Sequence, residues 1–367
     1  MSLSILGIGT AVPPYRISQD EAVEAAKVMS SCTPDQAAVL SVLYRQTDIA
    51  SRHMIHGRDV LQDVINRSDD TGTGFVPSSP DDPGPSTAER MHIYEREALP
   101  LALKASLGAL EASGVDPADI THLVTVTCTG FTAPGFDIGL IKGLPLNPSV
   151  ERTQVGFMGC HGAFNGLRVA RAFVEADPSA RVLVCATELC SPHYHYSWNP
   201  KRMVGNALFA DGAAALVAGN GQFDDPGSWK AVANGSCLFS DSESAMSWNI
   251  GNHGFEMTLS TRVPSLIANN LRPWLERWLA DHQLTIDKVA SWAIHPGGPR
   301  ILTSVEASLG LPLGTTNVAR EILCEYGNMS SPTILFILDR LRQQEAPLPC
   351  VALGFGPGLC AEGMLFV

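Results

Sequence analysis

The sequence predicts a layered α/β protein built from two copies of one unit. Three observations point there. Apolar segments of strand length alternate with stretches of helical periodicity along the whole chain. In the first half an apolar run, Val155-Gly-Phe-Met158, leads into Cys160 and a helical pattern, and in the second Glu325-Tyr-Gly-Asn328 leads into another. Each copy closes on a β segment. Such halves bury their apolar faces as helices lying between and outside two sheets. The junction is expected at residue 220, giving halves 1–220 and 221–367.

Taken in order, Leu3 to Ile8 reads as a strand and Pro13-Pro14 as a turn. Ser18-x-x-Glu21 has capping-box spacing and starts a helix. Residues 36–54 read as helix and then irregular chain, and they carry Arg45 and Arg52. Residues 68–86 are rich in Pro, Gly, Ser and Asp and predict an exposed surface excursion. A second box, Ser86 with Glu89, opens a long helix expected to bend at Pro100 and end at Gly114. Ile120 to Thr127 is a strand, and the Gly/Pro-punctuated segment 128–147 is suited to wall a pocket. Beyond Cys160, Ala163, Leu167, Ala170 and Val174 recur at spacings of four, three and four, which is helical. Arg181 to Ala186 and Ala213 to Val217 follow as strands. In the second half amphipathic helices at Leu266–Trp278 and Leu302–Leu309 flank a strand at Val289–Ile294. Ser331-Pro332 starts a further helix to about Leu341, with proline suited to its first turn. Cys350–Gly354 and Gly363–Val367 read as the two strands of a closing hairpin.

Composition limits what such a fold does. Apolar residues make up 45% of the 367 and charged residues 17%, enough for a large core and too few charges for disorder. A net charge of -12 with six scattered lysines argues against a nucleic-acid partner. The opening MSLSILGIGTAVPP has no basic n-region, and no apolar run approaches the ~20 residues of a membrane span, so a cytoplasmic protein is expected. Nine cysteines without a C-x-x-C pair suggest neither a disulfide framework nor a zinc site.

Cys160 stands where a strand turns into a helix, with Gly159 and Gly162 beside it. A helix N-terminus favours an anion, so the thiol is expected to be pushed toward thiolate. His295 follows the apolar strand Ser291–Ile294 on a His-Pro-Gly-Gly turn, and Asn328 holds in the second repeat the place that Cys160 holds in the first. If the repeats pack about a pseudo-twofold axis, all three converge. Cysteine with separately placed histidine and asparagine is a constellation used for thiolate nucleophiles. The plainer alternatives are a buried small hydrophobe, a structural histidine and a capping asparagine. His193 and His195 have the spacing of a metal pair but no evident further ligand, which favours pocket lining or surface. A structural role is expected for His161, a loop-orienting or cavity-lining role for Glu188, and a turn for 251–255.

The motifs HPGGPRIL at 295–302, EYGNMSSPTILFILD at 325–339, GFGPGL at 354–359, LFADGAAAL at 208–216 and GIGTAVPP at 7–14 resemble those of the chalcone and stilbene synthase-like type III polyketide synthases, bacterial members included. The resemblance runs nearly end to end. It implies a duplicated thiolase-like αβαβα fold, a homodimer, and no metal or prosthetic group. It further implies that Cys160 carries the acyl group of a coenzyme A thioester starter, while His295 and Asn328 bind the thioester carbonyl and promote decarboxylation of malonyl-CoA. The family's two gatekeeper phenylalanines map onto Phe209, which is kept, and Met257, which is not. Substrate positions map onto Cys128, Ala133, Cys190, His193, Gly205 and Ser330. Ala133 lies in the 128–137 segment that crosses the dimer interface in the family and reaches the partner's cavity. For the CoA phosphates only Arg45 stands in a comparable place, with Arg52 nearby. Ala133 where plant members have methionine opens the cavity, so an aliphatic acyl starter and an alkylpyrone or alkylresorcinol product are expected. An aromatic starter is the alternative, followed by a single condensation of the β-ketoacyl-carrier-protein synthase III kind, and then by a non-condensing thiol hydrolase or acyl-CoA-binding relative.

Overall fold

The first strand of each half lies at the centre of one mixed sheet, and each half builds outward from there. The computed structural model describes residues 2–220 and 228–367. The chain opens with β1 (Leu3–Ala11), β2 (Tyr15–Ser18), α1 (Gln19–Met29), α2 (Pro34–Arg45), β3 (Ser51–Met54) and α3 (Arg58–Asn66). It continues through α4 (Thr87–Ser113), β4 (His122–Thr127), α5 (Phe136–Gly143), β5 (Glu151–Gly156), α6 (Gly162–Ala176), β6 (Arg181–Glu188), α7 (Pro200–Leu208) and β7 (Gly212–Gly219). The second half runs through β8 (Lys230–Leu238), β9 (Met246–Gly251), β10 (Gly254–Leu259), α8 (Val263–Ala280), β11 (Ser291–Ile294), α9 (Pro299–Leu309), α10 (Asn317–Tyr326), α11 (Thr333–Gln343), β12 (Cys350–Gly356) and β13 (Cys360–Phe366).

The duplication is written in the strand order, β5-β4-β6-β7-β1-β8-β13-β12-β11. In each half the first strand pairs antiparallel with the last, the last pairs antiparallel with the one before it, and parallel pairing follows outward. The two expected sheets are joined at their seam by two residue pairs, Leu3 with Ala231 and Ser4 with Lys230. The expected junction at 220 borders residues 221–227, which lie outside the described residues.

Strands that read as unbroken apolar runs are covered on both faces. Val182, Val184 and Ala186 of β6 belong to one core cluster together with α6 and α11, while Leu183 and Cys185 face the other cluster with α4. Thus α6 and α11 form the middle layer, and α4 covers the first half from outside. A Cβ on Gly9 would sit 2.3 Å from the backbone of Ala105 and Ala109, so α4 lies on β1 only because that residue is glycine. On the outer face of the second half Trp274 and Trp278 of α8 stack over Gly235 and Gly363.

Helix ends follow the sequence closely. Both foreseen capping boxes form, at Ser18 and Ser86, a third forms at Thr33, and α4 passes through Pro100 unbroken to a left-handed Gly114. Two expectations are corrected. The strand before Cys160 is Glu151–Gly156, not Val155–Met158: its register on β4 ends at Gly156, and Phe157 and Gly159 then adopt positive φ. The segment before Asn328 is the helix α10, whose Ala319, Ile322 and Leu323 are buried, so the second repeat has no counterpart of β5 among the described residues. The 68–86 excursion carries no helix or strand, but it is tied down by Phe75, 3% exposed, and by hydrogen bonds from Ser68 and Thr71 to Asp63. Residues 251–255 turn the β9–β10 hairpin, with Gly254 at φ 101°.

Candidate active site

Cys160 sits in a single helical turn, Gly159–His161, that feeds directly into α6. Gly159 has φ 71°, and a Cβ there would strike the Pro357 ring at 2.4 Å. The thiol is 5% exposed. Burial pushes it up to about 11, and the Glu188 carboxylate adds to that, while the Ser330 and Asn328 side chains pull it back down. This reverses the expected push toward thiolate: the loss of hydration outweighs the helix terminus. His295 is 1% exposed and burial pushes its imidazole down to about 3, with neighbouring His161 adding to the shift. Thiol and imidazole are therefore both neutral at rest, and burial disfavours the imidazolium unless an anion forms beside it, as the sulfur does when it gives up its proton.

Asn328 is held from every side. Its backbone N–H donates to Leu208, its carbonyl accepts from Ala210, and Phe209 forms a β-bridge with it. Its side-chain oxygen accepts from the Ser330 N–H at 2.8 Å, which leaves the amide NH₂ free to donate toward the thiol. His295 is fixed by its own N–H to Leu353 at 2.8 Å, while neither ring nitrogen has a partner among the described residues. The Asn328 amide at the thiol and the unpartnered His295 ring make a site for an oxygen that gains negative charge.

Cys160, His295 and Asn328 line one cavity of about 30 Å³ together with Gly205, Phe209 and Met257. On one side that cavity shares Val204, Leu208, Leu259 and Gly297 with a larger channel of about 190 Å³, which reaches Gln46 and Arg300. On the other side, past Gly205, Phe209 and Met257, it adjoins a chamber of about 30 Å³ lined by Cys190, His193, Trp248 and Phe255. A third chamber of about 60 Å³, bounded by Ile17, Met29, Leu61 and Val64, lies beyond Met54 and Tyr194.

Aromatic side chains set the walls. His193 stacks on Phe255 with centroids 4.2 Å apart, and Trp248 meets Phe255 edge-on and anchors its indole N–H on the Cys128 carbonyl at 2.7 Å. His193 donates from Nε2 to the Thr129 carbonyl at 2.7 Å and accepts at Nδ1 from the Phe255 N–H at 3.0 Å. Both ring nitrogens are spent, so pocket lining is its role. Glu188 is fully buried and works as a hub: it accepts from the Cys128 N–H, Thr129 Oγ1 and Thr127 Oγ1 and from Ser331 Oγ. It orients the 127–129 loop, one of the two roles foreseen for it.

The other foreseen positions fall differently. Cys128 and Ser330 meet at 3.5 Å, Sγ to Oγ, behind the thiol. Ala133 is exposed and lines no cavity described here. Arg45 is exposed at the end of α2, next to Gln46 of the channel mouth. Arg52 requires correction: it is 1% exposed and its Nη1 is committed to the Asn206 and Phe209 carbonyls at 2.8 and 2.7 Å, so it does not reach a CoA phosphate. Arg300, at the channel mouth, was missed, because it lies inside a motif whose histidine and glycines drew the attention. Trp248 and Phe255 were also missed, since a hairpin packed over a cavity leaves no periodic signal.

A thiolase-like layered fold closing a Cys, His and Asn cavity between its halves defines a class of acyl-transferring, carbon–carbon bond-forming enzymes. Residues 2–222 match the chalcone and stilbene synthase N-terminal domain and residues 232–367 the C-terminal domain. The chain belongs to this family, the type III polyketide synthases, which carry out decarboxylative condensation on CoA thioesters. It is 33% identical to an α-pyrone synthesis polyketide synthase-like protein of Mycobacterium tuberculosis, over 99% of this chain and 90% of that one. It is 31% identical to the 1,3,6,8-tetrahydroxynaphthalene synthase of Streptomyces peucetius subsp. caesius, over 99% and 92%. Among solved structures, PKS-I of the brown alga Ectocarpus siliculosus superposes with a TM-score of 0.89 at 32% identity, covering 100% of this chain and 98% of that one. The type III domain of a Dictyostelium type I/III hybrid gives 0.89 at 28% identity, covering 100% and 99%. Among the described residues no helix is long and apolar enough to cross a membrane.

Proposed function

We propose that this polyketide synthase loads an aliphatic acyl-CoA starter on Cys160, extends it with malonyl-CoA and cyclises the chain to an alkylpyrone or alkylresorcinol. The carrying observation is the row of three chambers from the thiol past Phe209 and Met257 to the apolar pocket at Ile17, Met29, Leu61 and Val64. A buried alkyl tail gains about 0.8 kcal/mol per CH₂ there. In loading, His295 takes the thiol proton as sulfur attacks the starter thioester, and returns it to the departing CoA thiolate. Malonyl-CoA then loses CO₂; the enolate oxygen is held by the Asn328 NH₂ and His295, and its carbon attacks the acyl thioester, releasing the Cys160 sulfur. The first half, 1–220, supplies the nucleophile and the second, 221–367, its two partners. No metal or prosthetic group enters these steps.

The channel toward Gln46 and Arg300, with exposed Arg45 next to Gln46 in the chain, suits the pantetheine arm and its phosphates. A cytoplasmic homodimer belongs to the same reading: Ala133, Phe131 and Met158 are all exposed beside the free edge strand β5, an arrangement suited to a second copy. The aromatic walls at His193, Trp248 and Phe255 favour an aromatic starter as the second reading. Product profiles by mass spectrometry over acyl-CoA starters of rising length, with coumaroyl-CoA beside them, decide between the two. Longer aliphatic chains are expected to give the higher kcat/KM, and Ala133→Met to suppress them selectively. Preference for coumaroyl-CoA, or a methionine effect equal at all lengths, overturns the aliphatic reading.

A further inference from the structure

Arg52 is a buried cation without an anion. It is 1% exposed, and no carboxylate lies within ion-pair distance among the described residues. Nη1 serves two backbone carbonyls, Asn206 and Phe209. Nε and Nη2 have no hydrogen-bond partner among the described residues. These two nitrogens form one edge of the guanidinium, with their N–H bonds parallel, the arrangement that grips two oxygens at once. An uncompensated buried charge with two idle donors is costly, so a chain that keeps one has a use for an oxygen-rich ligand there. The position is specific. Arg52 borders both the chamber that adjoins the Cys160 cavity and the apolar chamber behind it. Its guanidinium lies over the Tyr44 ring, 5.7 Å from the ring centroid; the Tyr44 hydroxyl bonds to Tyr194 at 3.0 Å and lies close enough to interact with the guanidinium, while Asp211 is engaged by Ser191 and Ile55.

We infer that the free Nε/Nη2 edge of Arg52 binds the 1,3-dicarbonyl of the growing chain, with the alkyl end in the apolar chamber behind it and the thioester at Cys160. The inference rests on the polyketide reading above and deepens it. Successive malonyl extensions place oxygens on alternate carbons. Once enolised, two neighbouring carbonyls become planar with both oxygens on one side, as in a carboxylate. Loss of the proton from the carbon between them, taken up by solvent, leaves an anion spread over both oxygens that neutralises the guanidinium.

The probes are tridecane-2,4-dione, tridecan-2-one and tridecanoate, bound to the full-length enzyme and followed by calorimetry and by the ultraviolet band of the diketone enolate. The dione is expected to bind on the order of tenfold or more tighter than the monoketone, the yield of hydrogen bonds from a charged donor. Its enolate band appears at lower pH in the complex than free in solution. Arg52→Lys keeps the charge, loses the parallel edge, and loses most of this preference. Arg52→Met abolishes it, so that dione and tridecan-2-one bind that variant equally. Equal binding of dione and monoketone to wild type overturns the inference, as does a preference that survives Arg52→Met, or tight tridecanoate binding with no dione preference. If Arg52→Met does not fold, the wild-type comparison and Arg52→Lys decide. Malonyl-CoA decarboxylation is measured on the same samples: a wild type that decarboxylates without dione preference sinks this inference alone, and dione preference without decarboxylation sinks the polyketide reading and with it the identification of the ligand as the growing chain.

Discussion

Alkylation of Cys160 by iodoacetamide should be slower than that of a free thiol at neutral pH, although the residue is read as the nucleophile. With the thiol at about 11, the thiolate fraction at pH ~7.5 is ~3 × 10⁻⁴, against about a tenth for a free thiol near 8.5, a deficit of roughly 300-fold. A more basic thiolate is also the better nucleophile, with a Brønsted slope of about 0.4–0.5, which restores about 10–18-fold over ~2.5 units. The net expectation is a rate about 17–30-fold below that of a free thiol, further reduced by burial at 5% exposure. The sign with pH is fixed: deprotonation makes the reactive form, so the rate rises about tenfold per unit and goes on rising past pH ~9, where a free thiol levels off. Glu188→Gln, which removes a charge that raises the thiol, should speed the reaction, and Ser330→Ala should slow it. The measurement is site occupancy at the Cys160 peptide by mass spectrometry against time and pH, with glutathione as reference. A rate at or above glutathione's at pH ~7.5, with a plateau below pH ~9, would refute the reasoning and restore an ion-paired resting thiolate.

Cys160→Ala should lose polyketide formation and keep measurable malonyl-CoA decarboxylation, since enolate stabilisation falls to His295 and Asn328; undiminished condensation in the purified variant counts against the nucleophile. Asn328→Ala should lower the decarboxylation rate by ~10²–10³, the usual loss for one donor to a developing oxyanion, and a loss under about threefold rules its amide out. Gly205→Leu should cut kcat/KM for long starters by about tenfold or more while sparing acetyl-CoA: a Cβ there already meets Phe209 at 3.6 Å and Met257 at 3.7 Å, so a larger side chain fills the passage. A uniform loss across chain lengths would place that passage elsewhere.

Much of the fold was legible because its signals are local. The boxes Ser18/Glu21 and Ser86/Glu89, and Gly114 past the end of α4, are statements about backbone groups within one turn of helix, and they form as read. Central strands such as β6 and β7 announce themselves by unbroken apolar runs, because both faces are covered. What failed depends on neighbours distant in sequence. Edge strand β5 carries Glu151 and Arg152 and shows no apolar run, so the reading slid forward onto Val155–Met158. The α10 segment was matched to β5 by its place in the repeat, whereas its buried Ala319, Ile322 and Leu323 follow the period of a helix.

The site shows the same division with sharper consequences. That Cys160, His295 and Asn328 share a cavity follows from motif and repeat, and the structure places them around one. Their protonation does not follow, because a helix terminus is visible in sequence while the depth at which it is buried is not. A dipole worth a fraction of a unit charge, felt within one turn, is outweighed when the thiol loses its water and faces the carboxylate of Glu188. Arg52 carries the same lesson with opposite sign. In sequence it is one more cation after α2, next to Arg45, and a phosphate is the obvious partner. In the fold β3 carries it inward while Arg45 stays outside, so of two arginines seven positions apart one meets solvent at the channel mouth and the other meets the cavity. A charge carried inward keeps its demand for oxygen, and in this enzyme the oxygen within reach is that of the chain being built.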